Sequence, residues 1–159
     1  MIKEYEFFHG VVFSRIAHSH SGFVKIKAHP TKSNSSYVIN DNIGIYVKYS
    51  SKRLSPWRFS FKREHQDEIL EMKNNFGEVF TIFVCNDDGI VCLDFNELKQ
   101  ILDYAHKENE WVCLYRKARE KYAVSGKDGR LKIKIGDSDF PLKIFKENKI
   151  SSRVFNWLK

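Results

Sequence analysis

With 159 residues, 42% of them apolar and 14% aromatic, the chain has the size of one globular domain (1–159). It carries enough apolar surface to bury a core, which excludes wholesale disorder. No apolar run approaches the ~20 residues of a membrane helix, and the N-terminus MIKEYEFF has two acids and no cleavable signal pattern. The three cysteines suggest no disulfide framework, so a cytoplasmic protein without membrane association is expected.

The net charge of +7 is unevenly spread: residues 1–63 carry +8, 64–113 carry −9 and 114–159 carry +8. Either the acidic middle is a solvated helical face that the ends balance, or the two basic ends fold together into one positive surface for a polyanion.

In chain order, Phe7, Phe8, Val11, Val12 and Ile16 recur at near-helical spacing over 3–17, with Gly10 weakening the helix and a strand as the alternative. FVKIKA (23–28) alternates apolar and basic residues, the pattern of a half-buried strand. A polar loop over 29–36 precedes strands at 37–39 and 43–49, split by Asn40-Asp41-Asn42. Trp57, Phe59 and Phe61 alternate with Arg58, Ser60 and Lys62, predicting a strand with one aromatic and one basic face.

Ile69, Leu70, Met72 and Phe76 predict an amphipathic helix over 64–76. Val79–Cys85 reads as a central strand, Asn86–Gly89 as a hairpin turn and Ile90–Leu93 as its partner. Asp94 and Glu97 match a helix start, followed by Leu98, Ile101, Leu102 and Ala105. Strands are expected at 111–115, 122–125 and 131–135, the last with Leu131, Ile133 and Ile135 facing in. Asp139 with Pro141, and Ser151, mark short helices in the tail. The fold class is therefore α/β (α+β): a mixed β-sheet flanked by helices.

Residues Gly44–Asp103 resemble the core of the PD-(D/E)XK, or restriction-endonuclease-like, superfamily. In that family a strand carrying an acid-x-Lys pair is followed by a helix, an apolar strand, a hairpin and another helix. By resemblance IGIYVKY (43–49) is the catalytic strand with Lys48 at the lysine position, and Asp41 is the upstream acid. The resemblance implies an Mg²⁺-dependent nuclease, in which clustered carboxylates hold the metal. The position two residues before the lysine, an acid in the family, is Tyr46. A phenol with pKa ~10 replaces a carboxylate poorly. Either the acid has moved elsewhere, with Glu6 or Asp41 as candidates, or the site is altered. The literal Glu71-Met72-Lys73 falls on a helix, where its ends diverge.

KYSSKRLSPWRFSFKR (48–63) holds six basic residues and no acid. Its Lys48, Lys52, Arg53 and Arg58 are candidate phosphate contacts for DNA or RNA, with Arg116, Lys117, Arg119 and Lys121 extending the surface. Tyr49 or Trp57 is a candidate for stacking on a base, against the reading of Trp57, Phe59 and Phe61 as core. His18 and His20 on one side of a strand, with His9 and His29, form a weak metal candidate that lacks a complete ligand set; no metal site is expected. Cys85 and Cys92 face each other only if the hairpin turn has two residues, and both read as core. The expected function is nucleic-acid association through a basic face, on a nuclease-like and catalytically altered fold. The alternatives are an active Mg²⁺ nuclease with a moved acid, or a module docking a protein partner or a second copy through its acidic middle.

Overall fold

The computed structural model describes residues 1–145. They form α1 (Glu4–Ser19), β1 (Ile26–Ala28), β2 (Ser36–Ile39), β3 (Ile43–Ser50), β4 (Trp57–Phe61), α2 (Arg63–Asn75), β5 (Glu78–Cys85) and β6 (Gly89–Asp94). Then follow α3 (Phe95–Ile101), β7 (Glu110–Tyr115), β8 (Ala123–Gly126), β9 (Gly129–Arg130) and two 3-10 turns, Asp137–Asp139 and Leu142–Phe145. The protein is α+β. Its strands divide between two sheets, β1-β2-β3-β5-β6 and β4-β7-β8-β9, where alternation alone suggested one.

The first sheet is mixed: β3 and β5 run parallel from Ile43↔Glu78 to Ser50↔Cys85, and its other pairs are antiparallel. A parallel pair needs a long crossover, and β4 with α2 supplies it. Between Gly44 and Asp103 the elements run β3, β4, α2, β5, β6 and α3. Both central strands are buried on both faces, the reason VFTIFVC reads as a continuous apolar run.

One face of this sheet, through Ile45, Val47, Ile82 and Val84, packs against Val12 and Ile16 of α1 and against Phe140 and Ile144 near the tail. The other, through Tyr46, Val79, Phe83 and Leu93, meets α2, α3 and the aromatic face of the second sheet in one core. There Trp57, Phe59 and Phe61 are buried while Arg58 and Ser60 are exposed. The period-two reading of β4 holds.

α3 starts on the expected capping box: Asp94 accepts from the Glu97 backbone N–H at 2.8 Å, and Glu97 Oε1 accepts from Asp94 N at 2.9 Å. Its end presses on the β8–β9 hairpin, where a Cβ on Gly126 would collide with the Ile101 carbonyl.

Several expectations fail. The segment 23–28 shortens to the edge strand β1, whose three residues are all exposed, because only β2 flanks it. On α1, Phe7 and Val11 are exposed, and so is Leu70 on α2, since helical spacing marked a wider stripe than the sheet covers. α3 stops at Ile101, leaving Ala105 exposed in the following loop. The expected strand 131–135 is only the Tyr122↔Ile135 bridge, with Ile133 78% exposed. Cys85 pairs with Gly89 and Cys92 with Ile82, so the two thiols lie in opposite cores. Of the tail expectations, Asp139–Pro141 leads into the turn Leu142–Phe145, and Ser151 lies outside the described residues. Among the described residues no helix is long and apolar enough to cross a membrane.

Candidate nucleic-acid interface

Lys48 sits near the end of β3, half-buried on the face shared with the second sheet. Its Nζ donates to the Ser60 carbonyl at 2.5 Å and to His65 Nδ1 at 3.2 Å, and lies 4.3 Å from the Phe61 ring centroid. Burial, aided by nearby Lys62, lowers its pKa to about 8. His65 Nδ1 also accepts from Lys62 N at 3.1 Å. A ring nitrogen accepting from two donors carries no proton, so the imidazole is neutral. Burial first, then Lys48 and Lys62, brings its pKa down to about 4.

The pH consequence has a definite sign. A lysine whose folded pKa lies below its unfolded value of about 10.5 makes the unfolded state bind more protons between pH ~8 and ~10.5, so stability rises with pH there. Denaturant midpoints of wild type and Lys48→Met should therefore diverge in favour of wild type as pH rises from 8 to 10, by up to about 1.4 kcal/mol per unit. A constant difference would mean that Lys48 is solvated.

The acid assigned to this lysine lies elsewhere. Asp41 occupies the β2–β3 turn, paired with Lys25 at 2.9 Å. Seven residues of extended strand, roughly 20 Å, separate it from Lys48. Tyr46, two residues before Lys48, is buried and pushed up to about 12 by desolvation, with Glu68 next in effect and Ser33 and Ser35 as hydrogen-bond partners. Of the α2 carboxylates, Glu68 acts on Tyr46 more strongly than Glu64, and its Oε2 accepts from Ser33 Oγ at 2.8 Å. Sequence reasoning missed it because the α2 acids read as a solvated face.

A magnesium ion prefers about six oxygen ligands with several carboxylates or phosphates among them. One carboxylate already held by Ser33 and a protonated phenol do not fit it. Among the described residues no three His, Cys, Asp or Glu side chains gather as a metal requires. The histidine candidates scatter. His18 ends α1 and bonds the Ser14 carbonyl. His20 stacks on Phe145, and His29 packs edge-on to Phe76. His9 contacts the Tyr37 hydroxyl at 2.7 Å and is lowered to about 4 by burial.

The basic residues are better placed. Antiparallel pairing of Trp57 with Leu114 brings the 51–56 loop beside the segment that leaves β7. Leu54 and Ser55 there share a cleft with Arg116, Lys117 and Arg119. Trp57 Nε1 donates to the Lys52 carbonyl at 2.7 Å, and Lys52 Nζ to the Pro56 carbonyl at 2.8 Å, which folds the loop back on the strand. Lys52, Arg53, Lys117, Arg119 and Lys121 are exposed, and none has an acidic partner within ion-pair distance among the described residues.

Arg116 is different. Its Nε donates to Asp88 Oδ2 at 2.7 Å and its other nitrogen to the Asp88 carbonyl at 2.7 Å. The guanidinium also covers the Tyr122 ring at 4.3 Å. This residue holds the β5–β6 turn and is not a free phosphate contact. Asp88 thus does more than shape its own turn. The base-stacking candidates are also occupied: Trp57 is 1% exposed, and Tyr49 stacks on Phe8 at 4.6 Å.

Of the outer face of the second sheet, the sequence showed only the basic side of β4, with Arg58 and Ser60. Cross-strand partners share a face, and the register Arg58↔Cys113↔Ser125↔Arg130 forms one row across it. Trp111, opposite Ser60, and Tyr115, opposite Ala123, flank that row. Arg58, Ser60, Tyr115 and Arg130 are exposed, and Trp111 and Cys113 half-buried. None of these eight positions is acidic; Glu110, one residue before Trp111, turns inward and is 2% exposed. Arg58 lies 4.5 Å over the Trp111 ring. The available signal was the alternation of Trp111, Cys113 and Tyr115 with Val112 and Leu114, masked because both sides of EWVCLY are apolar. Comparison with known proteins found no matching family model, curated protein or solved structure.

Proposed function

We propose that this protein associates with nucleic acid, binding the phosphate backbone through the basic end of its second sheet. The observation that carries this reading is that the 51–56 loop and residues 116–119, about 60 residues apart in sequence, border one cleft. Lys52, Arg53, Lys117 and Arg119 on these segments are exposed and without acidic ion-pair partners among the described residues, while Asp88 in the cleft wall is taken up by Arg116. Phosphates neutralised by lysine and arginine release counterions, so such binding weakens steeply with salt. The polarity of the two basic segments supports the same reading; the lysines of β1 and its flanks lie on the edge of the first sheet and are not part of it. An intracellular location, consistent with three free cysteines, belongs to this proposal.

The test is a titration of labelled DNA and RNA, each as single strand and as duplex, from 20 to 300 mM salt. Binding at the low end with a log–log slope of several units is the expected result. No binding at 20 mM, or affinity indifferent to salt, overturns the proposal.

The rival reading, a magnesium-dependent nuclease acting through Lys48, draws on Glu68 as a moved acid. It requires nicking that disappears in EDTA and in Lys48→Ala. The Glu68 carboxylate beside Tyr46 is already held by Ser33, which weighs against it.

A further inference from the structure

We infer that the outer face of the second sheet binds unpaired bases, so that the ligand is single-stranded nucleic acid, with Trp111 and Tyr115 as stacking surfaces and Arg58 and Arg130 as flanking phosphate contacts. The inference rests on the proposed function and specifies its substrate class.

Three features of the face carry it. Its charge is complementary to a polyanion: the row contains two arginines, and no carboxylate occupies any of its strand positions. It exposes aromatic area beside those cations: Tyr115 is 46% exposed, and the half-buried Trp111 ring carries the Arg58 guanidinium at 4.5 Å, which a stacking base displaces. And it is continuous with the cationic cleft, because Tyr115 lines that cleft alongside Lys117 and Arg119. At the other end of β7, Trp111 lines a second cleft with Arg58, Lys62 and Arg63. Basic residues thus lie at both ends of the two-ring track. The acids at these clefts are Glu108 and the inward-turned Glu110 in the second, and Asp88, held by Arg116, in the first.

The spacing decides between duplex and single strand. Trp111 and Tyr115 are four residues apart on one strand, about 13 Å. Bases inside a duplex are paired and stacked on each other, and rings lying on a sheet cannot reach their faces. An unpaired strand can unstack and lay separate bases on separate rings, as aromatic platforms on sheets require. The distance equals nearly four stacked steps of 3.4 Å, so the two rings take bases that are not neighbours in the strand.

The experiment measures anisotropy of a fluorescein-labelled single-stranded 20-mer and of its duplex at 50 mM salt, with wild type, Tyr115→Ala, Tyr115→Phe and Trp111→Ala. The expected result is single-strand affinity at least tenfold above duplex affinity. Tyr115→Ala and Trp111→Ala should each lower single-strand affinity about tenfold, duplex binding should hold within about twofold, and Tyr115→Phe should retain most of the affinity, since stacking needs the ring and not the hydroxyl. Tyr115 is exposed, so its variants fold even where Trp111→Ala does not. Equal affinity for the two forms, or a Tyr115→Ala protein binding single strand like wild type, overturns this inference and leaves backbone association standing. Failure of both probes to bind at low salt removes both.

Discussion

Trp57→Ala is expected to lower the unfolding free energy by about 3–5 kcal/mol, read as a fall in the denaturant midpoint at unchanged slope. The side chain is 1% exposed and sits in the core between the two sheets with Phe59, Phe83, Leu114 and Tyr122. Removing it deletes a large apolar volume from a region that backbone pairing on β4 prevents from collapsing. It also strands the Lys52 carbonyl, which loses the indole N–H at 2.7 Å. Trp57→Phe separates the two contributions: most of the volume stays while the hydrogen bond goes, for a cost of about 1–2 kcal/mol. If Trp57→Ala cost under about 1 kcal/mol, the indole would be a surface group, and the sequence alternative of Trp57 as a base-stacking residue would return.

Reversing charge in the cleft has the largest expected effect on binding. Lys117→Glu with Arg119→Glu should reduce affinity for either form of nucleic acid roughly 100-fold at 50 mM salt, and flatten the log–log salt slope by about two units, one for each lost phosphate contact. Both residues are exposed and without acidic partners among the described residues. Stability should therefore change by no more than about 0.5 kcal/mol. Lys27→Glu, on β1 at the edge of the first sheet, serves as the control, and should alter affinity by no more than about threefold once salt screens distant charges. Equal losses from both changes would mean that binding follows net charge, and the cleft would have no special part.

These two expectations involve neighbouring segments that border one cleft. Trp57 fixes the start of β4, and its hydrogen bond to Lys52 closes the 51–56 loop beside Arg116. Arg116 is in turn held by Asp88, which also accepts from the Tyr122 hydroxyl. The core and the cationic cleft are thus mechanically joined. A Trp57→Phe protein that remains folded should bind nucleic acid more weakly than its stability alone suggests.

Local chemistry in the sequence determined the elements. Alternation in WRFSF made β4 a strand with buried rings, the apolar run VFTIFVC made a doubly covered central strand, and the Asp94/Glu97 pair opened α3. Each rests on contacts within a few residues, which spacing reports directly. Only the tertiary structure decided that the strands form two sheets, that Asp41 and Lys48 lie at opposite ends of β3, and that Arg116 belongs to Asp88. It alone showed that Trp111 and Tyr115 face outward. These outcomes depend on pairings between residues tens of positions apart. Periodicity tells which side chains share a face, whereas coverage of that face depends on what the rest of the chain packs against it.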